Sequence, residues 1–294
     1  MQVSAGGVAL EVEVHGSPRG EPLLMIMGLG MQLVAWHEDF VDELARQGFF
    51  VIRFDNRDIG LSQGFDHLGT PALATEALKF TFGLPVTSGY TLRDMAGDAA
   101  ALLDALGIAS AHVCGASMGG MIAQHMAVHH AARVRSLTLM MTSSGARRLP
   151  GPTLKVRAAM LSRPKNPRDI DNVVAHYVKL YQLIGSPAYP AGEDYLTQRL
   201  AMTVRRSYRP QGTARQLMAI AADGDRTEML RRIRVPTQLI HGRQDPLVPV
   251  AAAHDLLAGI DAVGLDIIDG MGHDLPVPLW PRFAAGICRA AGRA

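Results

Sequence analysis

The stretch Ala111-His112-Val113-Cys114-Gly115-Ala116-Ser117-Met118-Gly119-Gly120 constrains this chain more than any other. Its first residues read as a short buried strand and Met121 to about His130 as a helix, so Gly-x-Ser-x-Gly falls on the turn between them. A serine on so sharp a turn sits in strained backbone and presents its hydroxyl at the strand's carboxyl end. Gly115 and Gly119 are small because bulk at either position would collide with neighbouring backbone. The helix aims its amino end at the same spot, where free N–H groups and the positive dipole end favour developing negative charge. Ser117 is thus predicted to be a nucleophile; the bland alternative is a tight turn in a Gly-rich chain.

Around this stretch, strands and helices alternate. Val8 to Val14 alternates apolar and polar residues, the pattern of a half-exposed, edge-type strand. Leu23 to Met27 is a continuous apolar run, hence a buried strand, followed by Gly28-Leu29-Gly30 and an amphipathic helix from Trp36 to Gln47. Phe49 to Phe54 is the next buried strand. A short helix is expected around Ala72 to Phe80, and a longer one, capped by Thr91, runs to Leu106. A strand at Ser136 to Met141 follows. From Ser143 to Arg226 prolines interrupt helical periodicity and no strand is evident, which predicts a helical insertion. The alternation then resumes with strands at Thr237 to His241 and Leu265 to Ile268 and helices at Val250 to Ala258 and Trp280 to Ala291. The pattern predicts an α/β fold: a doubly wound, mostly parallel sheet built from residues 1–142 and 227–294, with 143–226 as a helical cap.

In such sheets chemistry gathers at the strands' carboxyl ends. Three polar residues stand there: Ser117, then Asp245 just past Thr237 to His241, then His273 just past Leu265 to Ile268. The types belong together. A serine hydroxyl is a poor nucleophile until an imidazole takes its proton, and a carboxylate on the other ring nitrogen fixes the tautomer and stabilises the imidazolium. Asp245 and His273 are 28 residues apart, room for one helix and one strand between adjacent strand ends. Asp223 and Asp225 come too early to supply the acid. An oxyanion hole needs two preorganised donors; the N–H of Met118 is one, and the N–H of Leu29, flanked by Gly28 and Gly30, is the expected second.

Other chemistries fit less well. Gly28-x-Gly30 followed by a helix and a strand ending in Asp55 mimics a dinucleotide site, but Leu33 stands where the third glycine belongs. His125 and His129 have zinc-ligand spacing, but Met126 replaces the glutamate of that motif, and both histidines are expected on an exposed helix face. No cofactor or metal is therefore expected. With 29 basic and 27 acidic residues and no basic stripe interleaved with aromatics, nothing points to nucleic acid. Cys114 and Cys288, the only cysteines, do not make a disulfide framework. The amino end lacks a signal-peptide pattern and no apolar run reaches membrane length, so a cytoplasmic protein is expected. Monomer and homodimer are not distinguished.

The chain resembles the α/β-hydrolase superfamily over nearly its whole length. Within it, Met27-Gly28-Leu29-Gly30, Trp36, Arg53-Phe54-Asp55-Asn56-Arg57-Asp58-Ile59-Gly60-Leu61-Ser62 and Gly270-Met271-Gly272-His273 look like the esterases with a helical cap, nearest the aclacinomycin methylesterase-like hydrolases, which cleave a methyl ester on a polyketide. The resemblance implies Ser117 as nucleophile, Asp245 as acid, His273 as base, and Leu29 with Met118 as oxyanion hole. Many members carry His-Gly where this chain has Met27-Gly28, which removes a side chain but no backbone donor. The Arg57 region is expected to brace the loop. Relatives with an aspartate nucleophile, the haloalkane dehalogenases and epoxide hydrolases, are disfavoured by Ser117. A hydrolase of small to medium hydrophobic carboxylic esters is expected. Lactonase, carbon–carbon hydrolase, cofactor-free perhydrolase and slow small-molecule receptor are the alternatives. Substitutions in the cap should shift substrate preference and spare the reactivity of Ser117.

Overall fold

The computed structural model describes residues 1–260 and 263–292. Eight strands form one sheet in the order β1-β2-β4-β3-β5-β6-β7-β8: Gln2–Ala5, Val8–His15, Phe49–Phe54, Glu21–Ile26, Ala111–Ala116, Val134–Met140, Thr237–Gly242 and Val263–Ile268. β1 and β2 pair antiparallel, as do β2 and β4; every later pairing is parallel. The expected mostly parallel sheet is therefore present. β2 is not an edge, because β1 pairs along it from Gln2↔Glu11 to Ala5↔Val8. At four residues β1 is too short to show alternation, so only its partner was legible.

Two apolar layers hold the sheet. On one face Leu24, Ile26, Ile52, Val113 and Leu139 pack with α3 (Leu92–Ala105) and α4 (Met118–His129). On the other, Leu23, Met25, Val51, Cys114 and Ile240 pack with α1 (Glu38–Arg46) and the last helix, Trp280–Ala290. Adjacent residues of the inner strands thus feed opposite layers, which explains their continuous apolar runs. Thr91 caps α3 through a reciprocal box with Asp94. A short α2 spans Leu73–Thr81.

Between β6 and β7 lie α5 (Leu154–Leu161), α6 (Ile170–Ile184), α7 (Glu193–Arg206) and α8 (Pro210–Asp223), then a single turn, α9 (Thr227–Leu230). α6 and α7 share a small core of Val173, Val174, Val178, Leu200 and Val204. These helices rest on the loops at the strands' carboxyl ends: Ile184 C=O accepts from His273 N–H, and Pro246 C=O accepts from Thr153 N–H. α10 (Ala251–Gly259) and α11, the helix Trp280–Ala290, complete the chain. Among the described residues no helix is long and apolar enough to cross a membrane.

The approach of α4 to β3 leaves no room for a side chain at Gly119: an added Cβ would sit 2.0 Å from Ile26 O, a backbone atom that cannot step aside. Gly97, in α3, meets nothing within 4 Å. Gly119→Ala should therefore destabilise the fold by about 3 kcal/mol or more. Gly97→Ala should stabilise it by up to about 1 kcal/mol through helix propensity. Urea unfolding of both variants checks the pair.

Candidate active site

Ser117 follows β5 with φ 55° and ψ −119°, one of three non-glycine residues with positive φ among those described. The conformation is costly for a residue with a Cβ and is held by its surroundings. Ser117 N–H donates to Met140 C=O at 2.9 Å, and Ser117 C=O accepts from Gly120 N–H at 2.9 Å and Thr142 Oγ1 at 2.7 Å. α4 begins at Met118, three residues earlier than the apolar periodicity suggested. The glycines of the motif are steric: a Cβ on Gly115 would come within 2.3 Å of Gly119 O.

The structure brings the three predicted side chains together. His273 Nε2 lies 3.1 Å from Ser117 Oγ, and His273 Nδ1 lies 2.7 Å from Asp245 Oδ2. The other oxygen of Asp245 accepts from the N–H groups of Leu247 and Val248 at 2.9 and 2.8 Å. One oxygen is thereby left for the imidazole, and the carboxylate cannot rotate without losing two bonds. Asp245 is buried. So is His241, whose Nε2 donates to Val248 C=O at 2.8 Å; burial holds His241 below its ordinary value, keeping it neutral beside the site. The loops carrying acid and base are tied to each other, with Gln244 N–H on Met271 C=O at 3.0 Å and Gly270 N–H on Gln244 Oε1 at 2.6 Å.

Gly28 touches the serine: an added Cβ would lie 3.1 Å from Ser117 Cβ. The loop that begins at Gly28 thus starts against the nucleophile. Among the described residues neither Leu29 N–H nor Met118 N–H takes a hydrogen-bond partner. Asn56 Nδ2 holds Met27 C=O at 2.9 Å, and buried Asp55 Oδ1 accepts from Leu33 N–H at 2.6 Å. The loop around Arg57 therefore braces the Gly28 loop, mainly through Asp55 and Asn56. Arg57 itself is paired with Asp98, at 2.6 Å.

Several residues near the site carried no signal in the sequence. Burial raises Asp274, next to His273, although its Oδ1 is hydrogen-bonded to Ser186 Oγ; the same hydroxyl accepts from Gly272 N–H at 2.9 Å. Gln216 and Arg206 reach the Gly28 loop from the helical segment. These contacts join residues 86 to 186 positions apart, beyond any local pattern. His125 corrects an expectation: it is buried, not on an exposed face, and Nε2 lies 2.8 Å from Asp223 Oδ1. The reason is that α4 is covered nearly all round, and the end of α8 folds back onto it. Cys114 is a core thiol, pushed up to about 12 by burial.

A hydroxyl aimed at an imidazole, an imidazole aimed at a fixed carboxylate, and two unengaged backbone N–H groups nearby can together attack a carbonyl and hold the resulting oxyanion. An alpha/beta hydrolase fold family model matches residues 21–274. Rhodomycin D methylesterase of Streptomyces sp. strain C5 is 27% identical over 298 aligned residues, covering 96% of this chain and 94% of that one. An esterase from Exiguobacterium antarcticum has TM-score 0.76 at 21% identity, with 99% of each chain covered. A mutant of the meta-cleavage product hydrolase of Pseudomonas fluorescens IP01, complexed with acetates, has TM-score 0.75 at 19% identity, covering 99% of this chain and 97% of that one. The last two are likenesses of fold.

The geometry makes Asp245 testable. Asp245→Asn keeps the two loop N–H bonds on one oxygen and presents an amide to Nδ1, the wrong partner for the required tautomer. Turnover of a short ester should fall by up to about 10⁴-fold with the fold intact, as read by steady-state kinetics beside circular dichroism.

Proposed function

The chain belongs to the alpha/beta hydrolase fold family, and on that premise we propose that it is a serine hydrolase of carboxylic esters. One observation carries this reading: strained Ser117 is in line with His273 and Asp245, at 3.1 and 2.7 Å. Ser117 Oγ bonds to the acyl carbon while its proton passes to His273 Nε2. The tetrahedral oxyanion is received by the N–H groups of Leu29 and Met118. Collapse expels the alcohol, which takes the proton from His273, and leaves an acyl-enzyme. Water, deprotonated by the same imidazole, then attacks the acyl carbon, and Ser117 is released with the acid. Asp245 keeps the imidazolium oriented. No cofactor or metal has a part in these steps.

The preferred ester is hydrophobic and uncharged. Helix α6 brings Tyr181 and Ile184 onto the loops of Gly28 and His273: Tyr181 Oη lies 2.6 Å from Met31 Sδ, and Ile184 C=O accepts from His273 N–H at 2.7 Å. Burial raises the hydroxyls of Tyr177 and Tyr181, so both are neutral phenols. A full-length relative that is a methylesterase supports a methyl ester of a larger apolar acid as the natural bond.

A serine-directed phosphonate should inactivate the protein stoichiometrically, with the adduct on the Ser117 peptide by mass spectrometry. Ser117→Ala should abolish both labelling and hydrolysis. Labelling elsewhere would remove the proposal. Across esters of increasing acyl length, kcat/KM should gain about 1 kcal/mol per buried methylene and then fall once the pocket is full, with charged analogues poor. A flat series, or efficient cleavage of a lactone or a carbon–carbon bond in place of esters, would assign the same site to another reaction.

A further inference from the structure

We propose that the oxyanion loop is suspended from helices α7 and α8, with Gln216 its positioning residue and Arg206 a second tie. This rests on the reading of Ser117 as an ester-attacking nucleophile. The Leu29 amide belongs to the peptide plane between Gly28 and Leu29. The peptide before it is anchored by Asn56 Nδ2 on Met27 C=O at 2.9 Å, and the peptide after it by Gln216 Oε1, which accepts from Gly30 N–H at 2.9 Å. Peptide units are rigid, so two anchored neighbours leave the middle one only a few soft dihedrals. The direction of the Leu29 N–H is therefore set from both sides, by a core residue on one and by a residue of α8 on the other.

Gln216 is built for this task. It is wholly buried, and its Nε2 donates to Arg57 C=O at 2.9 Å, which fixes which end of the amide faces Gly30. Arg57 follows Asn56, so both anchors refer to the same loop. α8 also lies hard against the turn: a Cβ on Gly30, whose φ is +68°, would sit 2.9 Å from both Cγ2 and Oγ1 of Thr213. Further along, Gln32 Nε2 donates to Thr203 C=O and Ser207 C=O at the end of α7, at 2.8 and 2.7 Å. Arg206 Nη1 joins Gln32 Oε1 to Asp55 Oδ2, both at 2.7 Å. Asp55 holds Leu33 N–H with its other oxygen. Removing either side chain should displace the donor that acts on the transition state and leave ground-state binding nearly untouched. The expectation that substitutions between 143 and 226 spare Ser117 reactivity accordingly excludes these two positions.

The test compares wild type, Gln216→Met and Arg206→Met, with Leu103→Ala as a control for lost stability in the core beneath α3. The rate of Ser117 phosphonylation by a small phosphonate, followed by intact mass, needs the oxyanion hole but little substrate pocket. Gln216→Met should slow it by about 10- to 100-fold, short of the loss expected when a donor is deleted outright. For a short ester its kcat should fall in parallel, with KM within about three-fold. Arg206→Met should show a smaller loss of the same kind, and Leu103→Ala none. A folded Gln216→Met that labels at the wild-type rate overturns the proposal, as does an equal loss in Leu103→Ala. Should Gln216→Met fail to fold, Arg206→Met decides on the same criterion. A wild type that does not label at Ser117 overturns the esterase reading and this inference with it.

Discussion

The structure depends on one close approach of backbones. α4 comes so near β3 that Gly119 has no space for a Cβ beside Ile26 O, and Gly28 lies against Ser117. This contact seats the amino end of α4 at the sheet's carboxyl edge, beside the positive-φ turn at Ser117 and with Gly28 against that residue. The strain at Ser117 persists because bonds from Met140, Gly120 and Thr142 over-determine its backbone. Loosening the packing would cost alignment at the serine as well as stability.

Ionic pairs then fasten the helical segment to the sheet. Asp55 pairs with Arg206, Asp58 with Arg215, and Asp223 with both Arg226 and His125. Each joins a residue between 143 and 226 to the core or to the segment's own exit. The environments differ. Burial raises Asp58, but Arg215, the Phe65 N–H and the Tyr90 hydroxyl outweigh it and hold Asp58 below the usual carboxylate range. At Asp55 burial prevails over two backbone N–H donors and Arg206, and the carboxyl stays above that range. Buried pairs add little net stability over apolar packing, yet breaking one costs about 3–5 kcal/mol. Their effect is to specify one seating of the helices and penalise every other.

The legible parts of the chain were those whose physics is local. Ser117, Asp245 and His273 each follow a run of strand-like residues, so chain order alone sets them at neighbouring strand ends. The apolar runs at Leu23 and Phe49 and the Thr91 cap are likewise written within a few residues. Gln2–Ala5 was not legible because four residues cannot display a period. His125 was misjudged because helical spacing says which residues share a face and not what covers it; Asp223, 98 positions on, covers this one. Gln216 and Arg206 were silent for the same reason. Each is an ordinary polar residue in a helical stretch, and its meaning comes only from the loop it meets.

That contrast separates two kinds of functional residue. Groups that change protonation or bonding need particular chemistry and stand at particular strand ends, so type and order betray them. Groups that hold a backbone amide in place need only one donor or acceptor at the right point, and many residue types on many elements could supply it. The peptides on either side of the Leu29 amide are held by an asparagine on the sheet side and a glutamine on the helical side, two short-range polar contacts far apart in sequence. On the proposed reading, in which the helical segment encloses the acyl group and positions the oxyanion donor, its substrate-facing residues do not vary with complete independence of rate.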